Sequence, residues 1–136
     1  MSKPLAEYAF TVHLDLPYEQ AREKAEAALK DQGFGIVTEV DMRRTFSHKL
    51  DVEFRKYTIL GACNPSLAIR ALSAEPQVGL LLPCNVIVYE DEEGAGSTVS
   101  VVDPLGMLGE IDVAELQAVA DDAHSRLSKV AAALAA

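Results

Sequence analysis

Two cysteines are the strongest candidates for chemistry in this chain, and their surroundings mirror each other: Cys63-Asn64-Pro65 and Pro83-Cys84-Asn85. Asn64 is a good helix N-cap and Pro65 a good first helical residue. A thiol just ahead of such a helix lies near the positive end of its dipole, which favours the thiolate. Cys84 opens the next strand. The pair is compatible with a redox dithiol, a soft-metal site, or a small-ligand site flanked by thiols and amides. The plain alternative is two small buried hydrophobes, because free cysteine is among the most buried residue types. The spacing is not C-x-x-C. Asn64 and Asn85 divide in the same way, between pocket amides and a cap plus a strand-edge bond. Asp103, before Pro104, is either a nearby site acid or a turn former.

Topology decides whether the sulfurs can meet. If the strands bearing them are antiparallel neighbours, both cysteines lie at one end of the sheet. If the strands are parallel, they lie roughly 20 Å apart. The geometric expectation is that the chain leaves the sheet at one thiol and re-enters beside it, with both sulfurs and both amides round a common hollow.

A metal would need more ligands. The histidines are His13, His48 and His124, and no pair has the i, i+4 spacing of a helical metal site. A structural zinc needs four ligands, so only tertiary coincidence would add a histidine to Cys63 and Cys84. The carboxylates Glu39, Asp41 and Glu90 end strands, where caps and turns also use acids. Gly33-Phe34-Gly35 and Gly94-Ala95-Gly96 lack the strand-to-helix setting of a phosphate loop.

Composition removes several function classes. With 136 residues the chain is expected to be one domain, residues 1–136, large enough to fold without a disulfide or metal. Its net charge of −9 repels phosphate backbones and anionic membranes, and no basic stripe compensates. No nucleic-acid or membrane partner is expected. The opening residues M-S-K-P-L-A-E-Y lack the apolar region of a signal peptide. A cytoplasmic location, with reduced cysteines, is the expectation.

The elements that must position the cysteines follow from periodicity. Tyr8 to Leu14 alternates as a half-buried strand. Tyr18, Ala21, Ala25, Ala28 and Leu29 make a helical stripe that Gly33 terminates. Gly35–Val40 is a second strand. Asp41 can cap a short helix with Met42, Phe46 and Leu50 on one face, although Arg43, Arg44 and Thr45 also fit an irregular connection. Arg55–Ala62 is a third strand, followed by a helix from Pro65 to about Ala74 and an apolar connector from Gln77 to Pro83. That connector, with Val78, Leu80, Leu81 and Leu82, is either a pocket wall or dimer seam, or filler beneath the helix. Asn85–Glu90 is nearly continuously apolar, as in a central strand buried on both faces or at an interface. A turn at Asp91–Gly96 joins it to Thr98–Val102. A long helix from about Asp112 to Ala133 presents Leu116, Ala120, Ala123, Leu127, Val130 and Leu134 on one side. The fold class is α+β: a largely antiparallel five-stranded sheet with helices on one face, the alternative being a βαβ arrangement with some parallel pairs, which the last hairpin, necessarily antiparallel, disfavours.

Tyr57-Thr58-Ile59-Leu60-Gly61-Ala62-Cys63-Asn64-Pro65, with Leu80-Leu81-Leu82-Pro83-Cys84-Asn85-Val86, resembles the signature of the bacterial and archaeal domain of unknown function 302. Gly33-Phe34-Gly35-Ile36 and Asp103-Pro104 fit the same resemblance. It implies a curved antiparallel sheet of the TATA-binding-protein-like class and a homodimer. It implies no reaction, and fold analogy alone does not bring DNA binding with it. The functional expectation is a small homodimeric binding module whose site lies at Cys63, Asn64, Cys84 and Asn85, with Asp103 nearby, holding a small ligand or soft metal. A thiol-dependent enzyme or redox protein, with Cys63 as nucleophile and Cys84 as resolving thiol, is the second reading. An interaction module without a site is the third. No cofactor is named by these residues.

Overall fold

The computed structural model describes residues 3–94 and 96–136. Met1, Ser2 and Ala95, the last within the expected 91–96 turn, lie outside the described residues. Five strands form one sheet: β1 (Ala9–Leu14), β2 (Gly35–Asp41), β3 (Tyr57–Cys63), β4 (Cys84–Glu90) and β5 (Ser97–Val102). Their spatial order is β1-β5-β4-β3-β2, and every neighbouring pair is antiparallel. The helices are α1 (Tyr18–Asp31), α2 (Met42–Leu50), α3 (Pro65–Ala74) and α4 (Ala114–Ala135).

Alternation along each strand builds one buried face. Thr58, Leu60 and Ala62 of β3, Val86 and Val88 of β4, and Val99 and Val101 of β5 all point into the core. Against them lie α1, through Ala21, Ala25, Ala28 and Leu29, and α4, through the expected stripe plus Val119. α3 packs on α4. The small alanines of α1 let that helix approach the sheet closely. Gly33 ends it with φ of +83°, a left-handed conformation that glycine adopts at little cost. The chain then reverses: the Gly33 N–H donates to Lys30 O and the Phe34 N–H to Leu29 O, each at 2.9 Å.

The other sheet face is largely uncovered within the chain, and this corrects the reading of β4 as buried on both faces by the chain itself. Ile87 and Tyr89 are half-buried and Asn85 is exposed. α2 forms despite having no buried residue. Asp41 caps it by accepting the Arg44 N–H at 3.0 Å. An aromatic train ties it down: Phe46 meets Phe54 edge-on, Phe54 meets Tyr57, and Tyr57 stacks on Tyr89 with ring centroids 5.2 Å apart.

Boundaries moved where local bonds overrode periodicity. β3 begins at Tyr57 rather than Arg55, and the Lys56 N–H bonds to the Glu90 carboxylate at 2.8 Å. The connector expected at 77–83 is mostly a 3₁₀ helix over Pro76–Leu81, capped by Glu75. Its central Val78 is buried while Leu80 is exposed, so filler and surface divide within it. α4 starts at Ala114 rather than Asp112, because 104–113 forms tight successive turns, such as Leu108 N–H to Pro104 O at 2.8 Å. Among the described residues, no helix is long and apolar enough to cross a membrane.

Candidate functional site: an apolar cavity under the third helix

Antiparallel pairing of β3 with β4 brings both cysteines to one end of the sheet, with Ala62 directly opposite Cys84. Alternation then parts them. Cys84 follows Ala62 onto the helix-covered side, whereas Cys63, one residue on, follows Gly61 onto the other. Both are free thiols, and they are not a facing pair. The expected hollow with two sulfurs and two amides is therefore corrected: a period of two residues cannot send Cys63 and Cys84 the same way when Ala62 is the partner of Cys84.

Asn85 is also separated from the others. Because Cys84 points inward, Asn85 points outward and lies exposed across from Gly61. Asp103 stands at the start of a 3₁₀ turn over Pro104–Gly106, where its Oδ1 accepts the Leu105 N–H at 3.1 Å. The same oxygen lies 2.9 Å from His124 Nδ1 on α4. Asp103 thus acts as a cap and histidine partner, and it is not part of the cavity wall. The Asp103–His124 pairing was invisible in the sequence, because the two lie 21 positions apart across irregular turn and helix. The other acids named as candidates have structural partners too. Arg22 grips Glu39 with two bonds, of 2.5 and 2.9 Å, and holds its carboxyl below the usual range.

Residues Cys63, Asn64 and Cys84 each border a cavity of about 240 Å³, although the two thiols do not face each other. It lies between the end of the sheet, α3, α4 and the Leu82-Pro83 connector, and its walls also include Phe34, Leu67, Ala71, Leu108 and Val119. No charged side chain lines it. Two exposed apolar residues frame its rim: Val37, 61% exposed at the bulge in β2, and Leu72, 41% exposed on α3. The hollow exists because α3 turns small residues toward it, Ala68 and Ala71 being three apart on one helical face. That spacing is the signal in the sequence that marks the hollow.

Gly61, on the opposite face of β3 from Ala62, leaves room for Pro83 of the connector. A side chain there would collide with Thr38 Oγ1 and come within 2.5 Å of Pro83 Cγ, so the connector can cross the strand only over a glycine.

Electrostatics separate the thiols by environment. Burial pushes the Cys84 thiol up to about 11, with a smaller contribution from Cys63. A thiol held this way is neutral at physiological pH, the reverse of what an exchanging thiolate needs. Among the described residues, no group of three or more His, Cys, Asp or Glu side chains is arranged to hold a metal ion.

A single antiparallel sheet of order β1-β5-β4-β3-β2, with three helices over one face and an uncharged cavity at its end, defines a compact α+β domain. The chain belongs to the family described as "Domain of unknown function DUF302", whose model matches residues 10–134. It is similar to a solved structure titled "Crystal structure of uncharacterized conserved protein DUF302 from Bacillus stearothermophilus", with 26% identity and a TM-score of 0.81. That match covers 93% of this chain and 97% of the other. No curated protein matches.

Proposed function

We propose that this domain is a binding module for a small, predominantly apolar molecule, held in the cavity between α3 and the end of the sheet. The observation that carries the reading is the cavity itself, about 240 Å³ with uncharged walls and an apolar rim at Val37 and Leu72. Sites for small ligands are typically concave, mostly apolar and furnished with a few polar groups. A smaller dry cavity of about 150 Å³, lined by aliphatic and aromatic side chains, already suffices to bind benzene. Asn64 and the inward-facing Cys84 are the polar residues on this side of the sheet that line it. The burial of Cys84 favours a packing role for its sulfur over a redox one.

Ala68 is half-buried on the inner side of α3, so a larger residue there would enter the cavity without rebuilding the core. Titrating the protein with toluene, followed by amide chemical shifts, should give saturable changes confined to β3, α3 and residues 82–84. Ala68→Leu should weaken that binding by about tenfold or more while changing stability by less than ~1.5 kcal/mol. A wild-type protein with no saturable response would overturn the reading.

A further inference from the structure

The cavity opens between Val37 and Leu72, two exposed apolar side chains in its wall. Beside that mouth stands Leu80, which at 83% is the most exposed large apolar side chain among the described residues. Its place follows from the local fold. The 3₁₀ helix over Pro76–Leu81 buries Val78 and leaves Leu80 outside, two residues before the wall residue Leu82. Gly79 lies against the same rim, since a Cβ added there would sit 3.9 Å from Leu72 Cδ2. Ile69, also exposed, lies one turn back from Leu72 along α3. A protruding leucine and an apolar hollow thus share one patch.

Contiguous exposed apolar surface marks a place where something docks. The charge of this patch selects the occupant. Residues 63–84 carry two charged side chains, Arg70 and Glu75, in a chain whose net charge is −9. Arg70 is paired with Glu115 at 2.6 Å, and the Glu75 carboxylate accepts the Gln77 N–H at 2.8 Å. Two copies of so acidic a chain repel over most of their surfaces, and least where charge is absent or paired. The patch is also complementary to itself. A two-fold axis beside the mouth sets each copy's Leu80 over the other's cavity, so that both patches leave water together. The cavity calls for such a cover, because a bound small molecule is ordinarily buried by about 70–90% and this mouth leaves one side open. We propose that a second copy of this chain closes the cavity, with the partner's Leu80 lying across the Val37–Leu72 mouth. This rests on the cavity reading above and completes its site.

Sedimentation velocity from about 5 to 500 µM, with and without toluene, tests it on the wild type, Leu80→Glu and the control Leu5→Glu. Leu5 is 82% exposed in the turn before β1, so neither substitution disturbs the core, and circular dichroism reports that both variants are folded. Wild type and control should pass from one chain to two as concentration rises, and toluene should raise the dimer fraction. Leu80→Glu should weaken dimerisation by about tenfold or more, and toluene binding at high protein concentration should weaken with it. A wild type that binds toluene yet stays a monomer at the highest concentration would overturn the second copy and leave the cavity reading intact. So would a monomer that binds phosphatidylcholine vesicles through Leu80. A dimer unaffected by Leu80→Glu would overturn this surface. A Leu80-dependent dimer that takes up no toluene would uphold the interface and overturn the cavity reading alone.

Discussion

In a Cys63→Ser variant, Cys84 will react with an aromatic disulfide reagent about 200-fold more slowly at pH 8 in the folded protein than in the denatured chain, from ionisation alone. The folded thiol is pushed up to about 11 by burial, so roughly one molecule in a thousand is thiolate at that pH. In the denatured chain about a quarter of ordinary thiols are ionised. Limited access at 8% exposure slows the folded protein further. The rate should climb about tenfold per pH unit up to about pH 10. Stopped-flow absorbance measures it, and equal rates for folded and denatured protein would refute a buried, protonated Cys84. The same shift has a consequence for stability. As pH rises past the ordinary thiol range, the unfolded chain loses its proton first. It then binds fewer protons than the folded state, and stability falls with rising pH until about 11, where the folded thiol ionises too. Below the ordinary thiol range this contribution is fully present. Such behaviour suits a sulfur that packs a cavity wall, and it opposes one that exchanges electrons.

Leu60→Ala will destabilise the protein by about 2–5 kcal/mol, a large part of the ~5–15 kcal/mol of a typical domain. Leu60 is 0% exposed, paired with Val86 on β4 and Glu39 on β2, in the centre of the sheet. Its neighbour Ile59 provides the control, because it points to the uncovered face and is only half-buried. Ile59→Ala should cost less than half as much, since less of its surface leaves water on folding. Urea unfolding measures both through the midpoint at constant slope. Equal losses would mean that the second face of the sheet is covered in solution. The contrast therefore tests the one-sided layer that gives this fold its cavity, because helices pressed on one face alone leave the end of the sheet open beside α3.

The sequence by itself determined the fold class, the family and most elements, because these depend on short-range patterns. Alternation marked the strands, the α4 stripe from Leu116 to Leu134 marked the inner helix face, and Asn64-Pro65 marked the start of α3. The N-cap at Asp41 was legible even though α2 buries nothing, since capping is a bond between residues three apart. Tertiary structure alone decided the site. Register at the β3–β4 ladder sent Cys84 inward and Cys63 and Asn85 away from it, and a one-residue slip of β4 against β3 would have turned Cys84 outward and Asn85 inward. The Asp103–His124 pairing and the hollow beneath Ala68 and Ala71 likewise depend on how separate elements settle against each other. Local sequence specifies what each element is, through dihedral preference and periodicity. Which side chains share a space is set by long-range packing, whose partners lie too far apart along the chain to leave a pattern in it.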